Sequence, residues 1–328
     1  MIFDTHAHYD DEAFDEDRDQ LLSSMKDGGV GCIVNVCASA GGFDGTLKLM
    51  EAYPFVYGAV GVHPDDAGIM TGDTLDEIRR LSHLEKMVAI GEIGLDYYWH
   101  KEEAEHKRQQ EMFRAQMDIA REEKLPFMIH SRDAAEDTLN IVREYMKKDM
   151  SGGIIHCFSY SREIAEEYLK MGLYLGIGGV LTFKNAKKLK EVAKIAPLSQ
   201  IVLETDCPYM SPEPYRGKRN SSLNLSYVAD ALAKIKGITA EEVIAATEEN
   251  AKKLLFRERT KRGKLKKLRI LLIIISASRK PLGSTFWDGM QRNTEPLFYF
   301  VPKILSPASP RPGQIYAWSF SALSRCPT

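Results

Sequence analysis

Two periods of hydrophobicity alternate along the first 256 residues. Met1 to Tyr9 is an apolar run closing on two histidines two apart, Phe-Asp-Thr-His-Ala-His, and predicts a strand. Helical spacing follows over Asp15 to Lys26 (Phe14, Leu21, Leu22, Met25) and stops at Gly28-Gly29. The β-branched run Gly31 to Cys37 predicts a second strand, Gly45 to Tyr53 a helix, and Phe55 to Val62 a third strand. Helix Thr74 to Leu84, strand Met87 to Leu95, helix Glu103 to Lys124 and strand Phe127 to His130 continue the alternation. Helix Ala134 to Lys147, strand Gly153 to Phe158, helix Arg162 to Met171, strand Tyr174 to Ile177, helix Ala186 to Ala196 and strand Gln200 to Thr205 complete it.

Eight strands with helices between them in about 205 residues predict an α/β fold, a closed parallel (β/α)8 barrel with right-handed crossovers. Two further amphipathic segments, Ser221 to Lys236 and Thr239 to Phe256, complete the helical ring and place the end of this domain at residue 256.

Charge divides the chain at the same place. The formal net charge is −2, but residues 257–328 hold 14 Lys/Arg against 3 Asp/Glu, which leaves −13 on residues 1–256. An acidic body is poorly suited to a broad duplex-binding face, which needs Lys and Arg to displace counterions, yet it leaves room for a narrow cleft where metal ions neutralise a few phosphates. Five cysteines with no Cys-x-x-Cys spacing fit reduced thiols. The first residues enter a strand without a charged leader or a long apolar segment, and the longest apolar stretch, Ile270 to Ile275, is too short to span a bilayer. The expectation is a soluble, cytoplasmic protein.

The chemistry gathers at the predicted strand ends. Side chains alternate faces along a strand, so His6 and His8 point the same way, about 6.6 Å apart along the backbone. A bare His-x-His pair is more often a surface or core feature than a ligand pair. Here, however, His63, Glu92, His130, His156, Glu204 and Asp206 stand at other strand ends, where barrels of this kind carry function. The arrangement implies a two-metal site: His6, His8 and Asp206 on one ion, His130 and His156 on a second, Glu92 between them. Such ions stabilise attacking and leaving oxygens and acidify water, for which Asp206 is the candidate base. Cys157 and Cys207 follow ligands directly, and alternation turns them to the other face, which favours packing over a nucleophilic role.

These residues lie in seven ordered blocks: Phe-Asp-Thr-His-Ala-His (3–8), Gly-Val-His-Pro (61–64), Gly-Glu-Ile-Gly-Leu-Asp-Tyr (91–97), His-Ser-Arg-Asp-Ala (130–134), His-Cys-Phe-Ser (156–159), Glu-Thr-Asp-Cys-Pro-Tyr (204–209) and Arg-Gly-Lys-Arg-Asn (216–220). Over about residues 1–256 the chain resembles the TatD family of metal-dependent deoxyribonucleases. The resemblance implies a phosphodiester hydrolase, a 3′ to 5′ exonuclease on DNA with single-stranded or 3′ ends as its partner. By that resemblance the metal ligands are His6, His8, Glu92, His130, His156 and Asp206, with His63 near the scissile phosphate. Arg132 is placed on a substrate phosphate, although a salt bridge tying Arg132 and Asp96 into two loops fits as well. Glu204 fits an acceptor for the outer nitrogen of a ligating histidine. The family pattern departs after Asn220, where an acidic residue and Pro are often found and this chain has Ser-Ser-Leu.

Imidazoles with carboxylates suit zinc, manganese or iron as bound ions, while the family resemblance implies magnesium for activity. Two competing functions remain: an amidohydrolase-like enzyme acting on a small amide, lactone or phosphoester, and a noncatalytic binding protein working through its basic tail. Residues 257–328 hold 7 of the 14 prolines and 2 of the 3 tryptophans and open with a basic run, Lys261 to Arg269. They read as a nucleic-acid or membrane-surface arm or, preferably, as a nonfunctional extension foreign to the family.

Overall fold

Parallel strands covered on both faces read as nearly continuous apolar runs, and the computed structural model bears this out. It describes residues 1–37, 39 and 42–256; the extension expected at 257–328 lies outside the described residues. Eight parallel strands follow one another in chain order: β1 Ile2–Ala7, β2 Val30–Val36, β3 Val56–Val60, β4 Met87–Asp96, β5 Phe127–Arg132, β6 Gly153–Ile155, β7 Tyr174–Ile177 and β8 Ile201–Leu203. All ten residues of β4 are buried. The segment beyond β8 brings the ring almost to closure. Thr205 and Asp206 donate backbone N–H bonds to the His6 carbonyl (3.3 and 2.9 Å), and His8 N–H donates to Cys207 O (2.9 Å).

Helices α1 Arg18–Ser23, α2 Phe43–Ala52, α3 Gly72–Ser82, α4 Glu103–Glu122, α5 Ala135–Met146, α6 Arg162–Lys170, α7 Lys187–Ile195 and α8 Leu225–Lys236 follow strands β1 to β8 in turn. A ninth, α9 Ala240–Leu255, starts from a capping box between Thr239 and Glu242. Its Ala251, Leu254 and Leu255 cluster with Phe3, Val34, Val88, Met128, Ile154 and Val202 from six strands, and Phe256 meets the Phe3 and Tyr57 rings. Most of these strand residues stand near the starts of their strands, so α9 closes that end and leaves the strand C-termini to form the mouth. Among the described residues no helix is long and apolar enough to cross a membrane.

Three predicted boundaries differ for identifiable reasons. The helix expected over Asp15 to Lys26 is reduced to Arg18–Ser23, preceded by a 3-10 turn, Glu12–Phe14. The Arg18 side chain bonds the carbonyls of Tyr9 (2.6 Å) and Asp11 (3.0 Å), which fixes the preceding residues in a turn. Strands β6 and β8 stop three residues and two residues early, at Ile155 and Leu203. Both chains then pass through left-handed backbone, Cys157 at φ 43° and Asp206 at φ 58°.

Helix α4 also fixes two strand ends. Gln109 and Gln116 are seven residues apart, hence on one face, and both are buried. Gln116 accepts from Val62 N–H (2.8 Å) and donates to Val62 O (3.1 Å); Gln109 makes the same pair with Asp96 (2.9 and 3.0 Å). These amides supply the backbone partners missing where β3 and β4 run out of neighbours. Gln116→Leu strips both bonds from buried Val62 and is expected to lower stability by about 1–3 kcal/mol, read as a lower urea midpoint; an unchanged midpoint contradicts this role.

Candidate metal centre

At the mouth, β1 supplies His6 and the segment just beyond it His8, β4 supplies Glu92, β5 His130, and the segments beyond β6 and β8 supply His156 and Asp206. The predicted common facing of His6 and His8 holds: their Nε2 atoms are 3.2 Å apart. Glu92, only 4% exposed, divides its carboxylate. Oε2 lies 3.3 Å from His6 Nε2 and 3.9 Å from His8 Nε2, whereas Oε1 lies 2.9 Å from His130 Nδ1 and 3.5 Å from His156 Nε2. Asp206 Oδ1 is 3.3 Å from His8 Nε2 and 3.8 and 4.0 Å from those of His156 and His6.

Ligand atoms of His6, His8 and Glu92, of His6, His156 and Asp206, and of His63, Glu92 and His130 each gather within 4.8 Å of one another. Such nitrogen and oxygen sets fit divalent transition metals. Two of the four outer ring nitrogens are held as ligating histidines require. His8 Nδ1 is 2.9 Å from the Val36 carbonyl, and His130 Nε2 is 3.1 Å from Asp96 Oδ2. His156 Nδ1 lies 3.1 Å from Glu204 Oε1, off the line that a hydrogen bond needs, while that oxygen accepts from Cys157 N–H at 2.5 Å. His6 Nδ1 is buried without a partner, and its ring stacks on His156 at 3.6 Å.

His63 stands edge-on to the His130 ring at 4.3 Å. Its Nδ1 lies 3.2 Å from Asp65 N and 3.4 Å from Asp65 Oδ2. The salt bridge weighed for Arg132 and Asp96 does not form. Asp96 turns to His130, and the Arg132 guanidinium lies over the Tyr98 ring at 3.8 Å. Glu204 does sit against His156.

Cys207 is fully buried, as packing requires. Cys157 is not on the far face of a strand: β6 has ended, its backbone is left-handed, and its half-buried sulfur gathers within 4.8 Å of ligand atoms of His156 and Glu204. Burial pushes its thiol well above the ordinary value; Asp206, Glu204 and Glu92 add to this and Arg132 opposes it. A thiol so raised stays protonated near neutral pH and is a poor nucleophile.

Residues that sequence reading left without a role hold the frame. Asp4 is fully buried and accepts from His6 N–H (3.2 Å), Thr205 N–H (3.0 Å), Thr205 Oγ1 (2.6 Å) and Ser222 Oγ (2.6 Å). Burial pushes its carboxyl up to about 7 against those bonds. Ser222 lies in the Ser-Ser-Leu departure, so that loop joins the site's frame through its own hydroxyl. Asn220 adds bonds to the carbonyls of Thr205 (3.0 Å) and Tyr209 (2.8 Å). The readable signal was a carboxylate in an otherwise apolar first strand.

Burial works against charge on His8, His130 and His156, but the adjoining carboxylates outweigh it and raise them to about 9, 9 and 10. The same histidines hold Asp206 and Glu92 below the usual carboxylate range although burial alone raises them. Without metal at pH 7 these three imidazoles therefore carry protons that an incoming cation must displace. Affinity for zinc or manganese is expected to rise from pH 7 to 9, and loading at pH 7 to release up to three protons. Titration calorimetry in buffers of differing ionisation enthalpy measures both; loading with no proton release and a flat pH dependence contradicts the assignment.

A family model described as TatD related DNase matches residues 3–256. The chain is 46% identical over 254 residues to the uncharacterized metal-dependent hydrolase YabD of Bacillus subtilis, spanning 77% of this chain and 98% of that one. It is 30% identical over 259 residues to a protein of Erwinia tasmaniensis named 3'-5' ssDNA/RNA exonuclease TatD, spanning 77% and 99%. Among solved structures, YJJV, a TatD homolog from Escherichia coli, aligns with a TM-score of 0.72 at 29% identity over 77% of this chain and 97% of that one.

Proposed function

Because this chain belongs to the TatD family it is a metal-dependent hydrolase, and we propose that it is a 3′ to 5′ exodeoxyribonuclease that works on single-stranded DNA ends with two divalent ions. The observation that carries this reading is the division of Glu92, one oxygen toward His6 and His8 and the other toward His130 and His156. One buried carboxylate shared by two imidazole pairs is the donor pattern of a paired-ion site, and Asp206 completes the first set. The name of the Erwinia relative supports the substrate class. When bound, such ions supply Lewis-acid charge to phosphoryl oxygens and acidify water; magnesium is the proposed ion for activity, with zinc, manganese or iron able to occupy the same donors.

The remaining work falls to the protein's own groups. Asp206 keeps Oδ1 toward the three imidazoles, which leaves Oδ2 to accept a proton from the attacking water. Its depressed pKa keeps it ionised and ready for that task at neutral pH. His63, with Nδ1 turned to Asp65, serves through Nε2 as donor to an oxygen of the scissile phosphate. Asp96 holds the outer nitrogen of His130, and Glu204 lies beside that of His156 as a countercharge.

A 5′-labelled single-stranded oligonucleotide, incubated with metal-stripped protein refilled with magnesium, manganese or zinc, should give a metal-dependent ladder of shortened products. Glu92→Ala should lower that rate by at least about 10²–10³-fold, as loss of a central electrostatic group does. No shortening with any ion, beside turnover of a phosphomonoester or a small amide, overturns the nuclease reading in favour of a small-substrate hydrolase.

A further inference from the structure

Beside the metal centre stands an aromatic surface that the hydrolytic groups do not use. Trp99 is 65% exposed and Tyr98 43%, and their rings meet edge to face at 4.6 Å. The Arg132 guanidinium lies 3.8 Å above the Tyr98 ring and 5.5 Å from that of Trp99. Among the described residues no carboxylate pairs with it. Burial therefore does not account for the indole, and no ion pair accounts for the cation.

The surface is fixed to the centre by one side chain. Asp96 Oδ1 accepts the backbone N–H of Tyr98 (2.8 Å) and of Trp99 (3.4 Å), while its Oδ2 stands 3.1 Å from His130 Nε2. Across the same strand ends Tyr97 N–H donates to Arg132 O (2.9 Å). Trp99 follows Asp96 by three residues, so its Cα is within about 11 Å of that carboxylate's backbone. The backbone that carries the rings is thus tied through Asp96 to the imidazole that faces Glu92.

We propose that Trp99 and Tyr98 form a stacking platform for an unpaired nucleobase of the substrate strand, with Arg132 on the adjoining phosphate. The proposal rests on the nuclease reading above and adds what selects the strand. A base inside a duplex has both faces covered by its neighbours, whereas an unpaired base offers a face to an aromatic ring, an interaction indifferent to sequence. A guanidinium beside the rings suits the phosphate that accompanies every base. Two rings and one cation make too small a patch for a stable protein partner, which needs roughly 1,200–2,000 Å² of buried surface.

The test compares the KM of the metal-loaded full chain for two strands of about a dozen units, oligothymidylate and an abasic sugar-phosphate polymer of equal length and charge. Base stacking on an aromatic residue is worth about 1–3 kcal/mol, so the wild-type protein should show a KM about tenfold or more lower for oligothymidylate. Trp99→Ala should bring the two KM values within about twofold of each other, and Trp99→Phe should restore most of the difference. The exposed position of Trp99 leaves the fold intact in both variants. If Trp99→Ala keeps the wild-type KM ratio while oligothymidylate is still shortened, the platform is overturned and the nuclease reading stands. If the wild-type protein shortens neither strand, the nuclease reading falls and the platform with it.

Discussion

The carboxylate of Glu92 lies deep in the barrel mouth with four imidazole nitrogens within 4 Å of its two oxygens. A buried charge persists only when compensated, and everything around Glu92 serves that compensation. His6 lies on β1 and His8 stands just past it, and alternation places both on one face. His130 and His156 come from the opposite part of the ring and meet the other oxygen. Each of these last two has a second carboxylate behind it: Asp96 bonds the outer nitrogen of His130, and Glu204 lies 3.1 Å from that of His156.

That arrangement depends on where the strands end. A (β/α)8 barrel gathers its strand C-termini at one mouth, but β3, β4, β6 and β8 end there at different heights, and their last peptide groups lose sheet partners. The protein fills those vacancies with side chains. Gln109 and Gln116 of α4 pair with the backbone of Asp96 and Val62, and Asp4 receives the N–H groups of His6 and Thr205. In this way the residues next to His63, His130, His6 and Asp206 are tied to buried hydrogen bonds rather than left to loop motion. Asp206 itself holds left-handed backbone at φ 58°, a conformation that Asp tolerates better than most residues.

Much of this was legible in the sequence, because period and position carry it. Eight apolar runs separated by helical spacing specify the barrel, and His or acidic residues at the ends of those runs specify the mouth. What escaped reading depends on long-range contacts that no local pattern encodes. Asp4 looks like a break in an apolar strand until Thr205 and Ser222, some two hundred residues away, are seen to surround it. The two glutamines of α4 look like ordinary polar helix residues until the ends of β3 and β4 arrive beneath them. Alternation misplaced Cys157 because a strand rule was applied one turn beyond the strand. Arg132 gave no local sign that its partner would be an aromatic ring in place of an acid.

Glu92 is proposed to join two donor sets into one paired site. Anomalous-difference density from a manganese-soaked crystal tests it most directly. Two peaks about 3.5–4 Å apart are expected, one on Glu92 Oε2 with His6, His8 and Asp206, the other on Oε1 with His130 and His156. A single ion held by both oxygens of Glu92, or ions seated away from these residues, contradicts it.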